Sequence, residues 1–73
     1  MANVERLIAN LKNRIAESVG EGGRSDLGDG RKVTWGWCND KRYPSPRYKF
    51  VSVTGPDVHQ SGIYDTDSGR FVT

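Results

Sequence analysis

Val4, Leu7, Ile8, Leu11, Ile15 and Val19 recur at helical spacing near the N-terminus, and no second run of that period follows. At about 100° per residue these six side chains fill one stripe roughly 120° wide, the apolar face of a helix that lies on something flat. The pattern predicts a helix over about 4–19. Asn3 is placed to cap its first turn by accepting an orphan amide. Glu5 suits the positive end of the helix, and Gly20 stands where a left-handed C-terminal cap is needed. The outward residues Arg6, Asn10, Asn13, Arg14 and Glu17 read as a solvated face.

The remaining periodicity is that of strands. Lys32–Cys38 alternates, with Val33, Trp35 and Trp37 on one face and Lys32, Thr34, Gly36 and Cys38 on the other. Arg47–Val53 is rich in aromatic and β-branched residues, but its alternation leaves open whether Tyr48 and Phe50 or Val51 and Val53 point inward. Ser61–Asp65 and Arg70–Thr73 flank Thr66-Asp67-Ser68-Gly69, a hairpin turn with glycine at a positive-φ position. Asn39–Pro46 contains two prolines, which cannot donate to a ladder, and reads as a loop. Gly20–Gly30 has five glycines and one sizeable apolar residue, Leu27, and reads as a flexible connector. The expected architecture is a single α+β domain over residues 1–73. One N-terminal amphipathic helix packs on a three- to four-stranded antiparallel sheet spanning 31–73.

Size bounds the chemistry. A chain of 73 residues with 34% hydrophobic residues builds one modest core. It has no room for a deep, dry pocket of the roughly 300–1,000 Å³ that small molecules occupy. The single cysteine, Cys38, excludes an internal disulfide, and with one histidine, His59, it makes no zinc site. A thiol–imidazole pair from Cys38 and His59 lacks any local signature around either residue. Asp65-Thr66-Asp67-Ser68-Gly69 opens like a calcium loop, but the later acidic ligands are missing. The expectation is therefore a non-enzymatic chain with no metal, cofactor or small-molecule substrate. Few cysteines in so small a domain point to a reducing compartment. Glu5, Arg6, Lys12 and Arg14 within the first apolar pattern point away from a signal peptide or membrane span, so a cytoplasmic setting is expected.

Charge is unevenly spread. Arg31, Lys32, Lys41, Arg42, Arg47 and Lys49 face only Asp40 between positions 31 and 49, a balance of +5 between mildly acidic flanks. Trp35, Trp37, Tyr43, Tyr48 and Phe50 interleave with these cations. Arginine, tryptophan and tyrosine dominate the energetics of protein interfaces, and prolines lower the ordering cost of a binding loop. Lys41, Arg42, Tyr43 and Arg47 on the loop are thus expected to form a partner-binding surface, with Lys49, Arg31, Lys32 and Trp37 on adjoining strand ends. The same mixture suits a second reading, in which aromatic side chains stack the bases of single-stranded nucleic acid and the cations meet phosphate.

The whole chain also resembles a known family. Its length, the opening MANVERLIANLKNRIAESV and the centre VTWGWCNDKRYPSPRYKFVSV resemble small transcription regulators made by lytic bacteriophages. The resemblance implies a protein that binds the RNA polymerase of its bacterial host in the host cytoplasm, through the large beta and beta-prime subunits. It implies displacement of the sigma factor, inhibition of initiation and an effect on termination. Nucleic acid would then be met only through the polymerase.

Overall fold

The computed structural model describes residues 3–18 and 22–73. Its chain order is α1 (Val4–Leu7), a 3₁₀ turn (Ala9–Leu11), α2 (Lys12–Glu17), β1 (Gly23–Gly28), β2 (Arg31–Trp37), β3 (Tyr48–Thr54), β4 (His59–Asp65) and β5 (Arg70–Phe71). The five strands form one antiparallel sheet in sequence order, with the helical segment across one face. No helix among the described residues is long and apolar enough to cross a membrane.

The apolar stripe forms, but not as one helix. Asn3 caps α1, its Oδ1 accepting the Arg6 amide at 3.2 Å. The α-helix then stops at Ile8, whose φ of −103° and ψ of 5° are not helical, and tightens so that the Leu11 amide bonds the Ile8 carbonyl at 2.9 Å. The tighter turn is centred on Asn10, a weak helix former. Val4, Ile8 and Ile15 are buried, with Leu7 and Leu11 half-buried beside them. The predicted last helical residue, Val19, and its cap Gly20 lie outside the described residues.

Register settles which sheet face is inside. Val33 stands opposite Val53, and Trp35 opposite Val51, and all four are buried beneath the helical segment together with Tyr64. Tyr48 and Phe50 therefore belong to the open face, along with Lys32, Thr34, Ser52, Thr54 and Ser61. Trp37 shares the core-side face with Trp35, but 67% of its surface is exposed.

Three sequence expectations need correction. The sheet has five strands rather than three or four, because the expected connector Gly20–Gly30 contributes β1. Strand β1 turns into β2 at Asp29-Gly30, where both residues have positive φ, 54° and 78°, as the right-handed twist of a two-residue hairpin demands. At the C-terminus only Arg70–Phe71 is strand, since Thr73 leaves the ladder and its Oγ1 accepts the Ile63 amide at 2.8 Å.

Glycine is needed in β1 for proximity as well as freedom. A Cβ at Gly23 would lie 2.6 Å from the Trp35 indole. The ring is held on its other flank by the Arg14 guanidinium, 5.5 Å from the ring centroid. Gly23→Ala should therefore cost about 1–3 kcal/mol through overpacking. Gly36→Ala, with open space around its Cβ position, should be neutral or stabilising. Urea denaturation of the two variants, at equal m-value, measures the difference.

Candidate partner-binding end of the sheet

The loop of residues 38–47 joins β2 to β3 at the end of the sheet where Trp37 stands opposite Lys49. It is internally braced. The Tyr43 amide bonds the Asp40 carbonyl at 3.0 Å, and the Tyr48 amide bonds the Ser45 carbonyl at 3.1 Å. The Tyr43 and Tyr48 rings meet at 5.0 Å with a tilt of 58°. Trp37, Cys38, Pro44, Pro46, Tyr48 and Lys49 line a shallow groove of about 260 Å³ beneath the loop. Trp37 and Phe50, the exposed large hydrophobic side chains among the described residues, lie one register step apart at this end, on opposite faces.

The eight expected contact residues do not form one surface. Arg31 and Lys32 open β2 at the far end of the sheet from Trp37, six strand residues or roughly 20 Å away. Trp37, Lys41, Arg42, Tyr43, Arg47 and Lys49 gather at the loop end. Most of the cations are already engaged. Arg31 grips Asp57 in a two-pronged hydrogen bond, its Nε 3.0 Å from Oδ1. Arg47 donates to the Tyr48 hydroxyl at 2.7 Å and lies 3.4 Å from Asp65 and 3.5 Å from Asp67. Lys49 points its ammonium at the Ser18 carbonyl, 2.8 Å away, which fastens the end of the helical segment to β3. Among the described residues, Lys41 and Lys32 are exposed cations outside any ion pair.

These pairings also set proton affinities. Hydrogen bonding to Asp57 raises the Arg31 pKa, and the same bond lowers that of Asp57. The Arg42 side chain, with its backbone amide in support, lowers the Asp40 carboxyl to about 2. Burial raises the Tyr64 phenol, and the nearby Glu5 and Asp65 carboxylates push it the same way.

The alternative chemistries find no assembled site. Cys38 lies at the loop end of β2, whereas His59 pairs with Thr54 at the opposite end of β3, roughly 20 Å along the strand, so the two cannot act together. In the acidic turn, the Asp65 carboxylate accepts the Asp67 amide at 2.9 Å, and the Thr66 hydroxyl bonds the Arg47 carbonyl at 2.6 Å. Gly69 takes the positive φ, 72°, expected of it. No group of three or more potential metal-ligating side chains occurs among the described residues. A hollow of about 400 Å³ is an open trough beside Arg24, Asp26, Lys32 and Thr34 at the other edge of the sheet.

No known protein family, curated protein or solved structure matches this chain. The fold and the geometry at the loop end stand as the description of the molecule: a small α+β domain with one braced, aromatic, cation-bearing end.

The Asp40–Arg42 contact gives a direct check on the loop. A carboxylate whose pKa is depressed in the folded state stabilises that state above its unfolded pKa and loses the contribution as pH falls through the folded value. The contact should thus persist down to about pH 2, with the Asp40 carboxyl titrating near there by NMR. Arg42→Ala should return the midpoint toward the ordinary value of 3.8.

Proposed function

We propose that this chain is a non-enzymatic module that grips a larger macromolecule through the loop end of its sheet. Exposed Trp37 is the observation that carries the reading. A tryptophan at 67% exposure leaves a large apolar surface in water in a domain short of core material, and such side chains are the usual anchors of protein interfaces. Pro44 and Pro46 beside it limit the loop's unbound conformations, so less freedom is lost on docking. Lys41 adds an exposed positive charge that steers association toward an acidic surface.

The partner proposed is bacterial RNA polymerase, met at its large subunits, with displacement of the sigma factor and inhibition of initiation as the outcome. This part rests on the full-length resemblance of the sequence to phage-encoded transcription regulators. The loop-end geometry supports it by supplying a compact contact surface in place of a catalytic site. Arg31 and Lys32, at the far end, are left out of the contact.

Purified core polymerase on a solid support is expected to retain the chain at moderate salt. Trp37→Ala should weaken retention by about 30-fold, the scale of a hot-spot truncation, with little change in unfolding midpoint because the side chain is exposed. Failure of the unaltered chain to bind core enzyme would remove the polymerase as partner. Full retention of the Trp37 variant would remove the loop end as the site.

A further inference from the structure

The two edges of the sheet are finished differently. At one edge β5 is only two residues long, and side chains take up the amides around it. Glu5 reaches from α1 to accept the Phe71 amide at 2.9 Å, and Thr73 Oγ1 accepts the Ile63 amide at 2.8 Å. At the other edge β1 runs for six residues, Gly23–Gly28. Among the described residues only its last amide, Gly28, meets a side chain, the Asp26 carboxylate at 2.8 Å. An open strand edge offers unpaired amides and carbonyls to any further strand.

The side chains of β1 specify which strand fits. Arg24 and Asp26 flank Ser25, lie on the same open face of the sheet, and are exposed. Neither enters an ion pair among the described residues. A second copy of β1 brought alongside antiparallel, with the two-fold axis through Ser25, sets each Arg24 opposite the other copy's Asp26. The flanking Gly23 carries no side chain to obstruct the approach. Directly opposed unlike charges stabilise an antiparallel pair, and like charges there destabilise it. A shift of one residue in this register loses both ion pairs.

We infer that β1 is a self-association edge, where two copies of this chain pair antiparallel about Ser25 to make one continuous ten-stranded sheet. The axis stands perpendicular to the sheet, so both helical segments fall on one face and the two open polar faces join on the other. The loop end around Trp37 remains free in each copy, so the inference is independent of the partner proposed above. Five residues of β1 per copy, 23–27, pair in this register and make less than the roughly 1,200 Å² of a standard interface, and the dimer is therefore weak.

Sedimentation velocity over a concentration series reaching about 1 mM reads such an equilibrium. A rise in sedimentation coefficient with concentration is expected for the unaltered chain. Arg24→Asp and Asp26→Arg should each weaken association about tenfold or more, since each turns two attractive pairs into repulsive ones. The double variant, with the charges exchanged, should recover it. A chain that stays monomeric throughout, single reversals without effect, or a double variant that fails to recover would each overturn the proposal. Asp26→Arg also removes the cap on Gly28, so Ser25→Cys in a Cys38→Ser background supplies a second reading. Oxidation should link two copies through position 25, and the absence of a cross-linked dimer counts against the pairing.

Discussion

Trp35 is the side chain through which the parts of this domain are held in register. Its indole is 6% exposed and lies against Gly23 of β1 on one flank and Arg14 of α2 on the other. Its backbone pairs with Val51 in β3 and with Gly23 itself. A single large apolar body thus ties three strands to the helical segment. Among the described residues, the fully buried side chains apart from Tyr64 are Ile and Val, so little else in so short a chain matches its size. The glycines before β1 follow from this constraint. Gly22 has a positive φ of 75°, and a Cβ there would fall 2.1 Å from the Trp35 carbonyl oxygen. The backbone comes close because side chains are missing.

That arrangement explains why β1 was hidden in the sequence. GEGGRSDLGDG carries neither alternation nor β-branched residues, and chain entropy favours reading it as a connector. Its stability comes from pairing with β2 and from the indole laid against it, and neither is a property of the segment itself. One local signal was present. Asp29-Gly30 is the dipeptide that two-residue hairpins prefer, and it stands just before the strongest strand in the chain. The helix was legible because its burial stripe is a local pattern, as were the Asn3 cap and the Gly69 turn. The break at Ile8 was not. The stripe keeps its spacing through a 3₁₀ turn, so periodicity alone does not register the change.

Charge was the least faithful guide. The run of cations from Arg31 to Lys49 looks like an island only while the chain is read as a line. Folding brings Asp57 to Arg31 across the sheet, and Asp65 and Asp67 to Arg47 from the next hairpin. Antiparallel pairing joins residues tens of positions apart, beyond the reach of any short sequence window. Asp57 and Asp67 are solvent-exposed, and exposed pairs such as theirs contribute little to stability, with a median near 0–1 kcal/mol. Their larger effect is on the outward field, which they reduce near three of the six cations. A partner that approaches this surface therefore meets rings and prolines, with Lys41 as the prominent free charge of the loop.

Trp37 is exposed although the helical segment is fastened close to it. Lys49, which holds the Ser18 carbonyl at 2.8 Å, stands directly opposite Trp37 in the β2–β3 ladder. Trp37 takes the inward side of the pleat with Val33 and Trp35, yet 67% of its surface is exposed. A polar residue at position 37 would fit the same strand with less apolar surface in water. The loop is braced by the Tyr43–Tyr48 contact and by the Asp40–Arg42 pair, so the exposed indole sits beside a shaped surface instead of a mobile one. Exposure together with local order is what an interface anchor requires: the apolar area gives the gain on contact, and the bracing removes much of the ordering cost. Both are present at Trp37 and in the loop beside it.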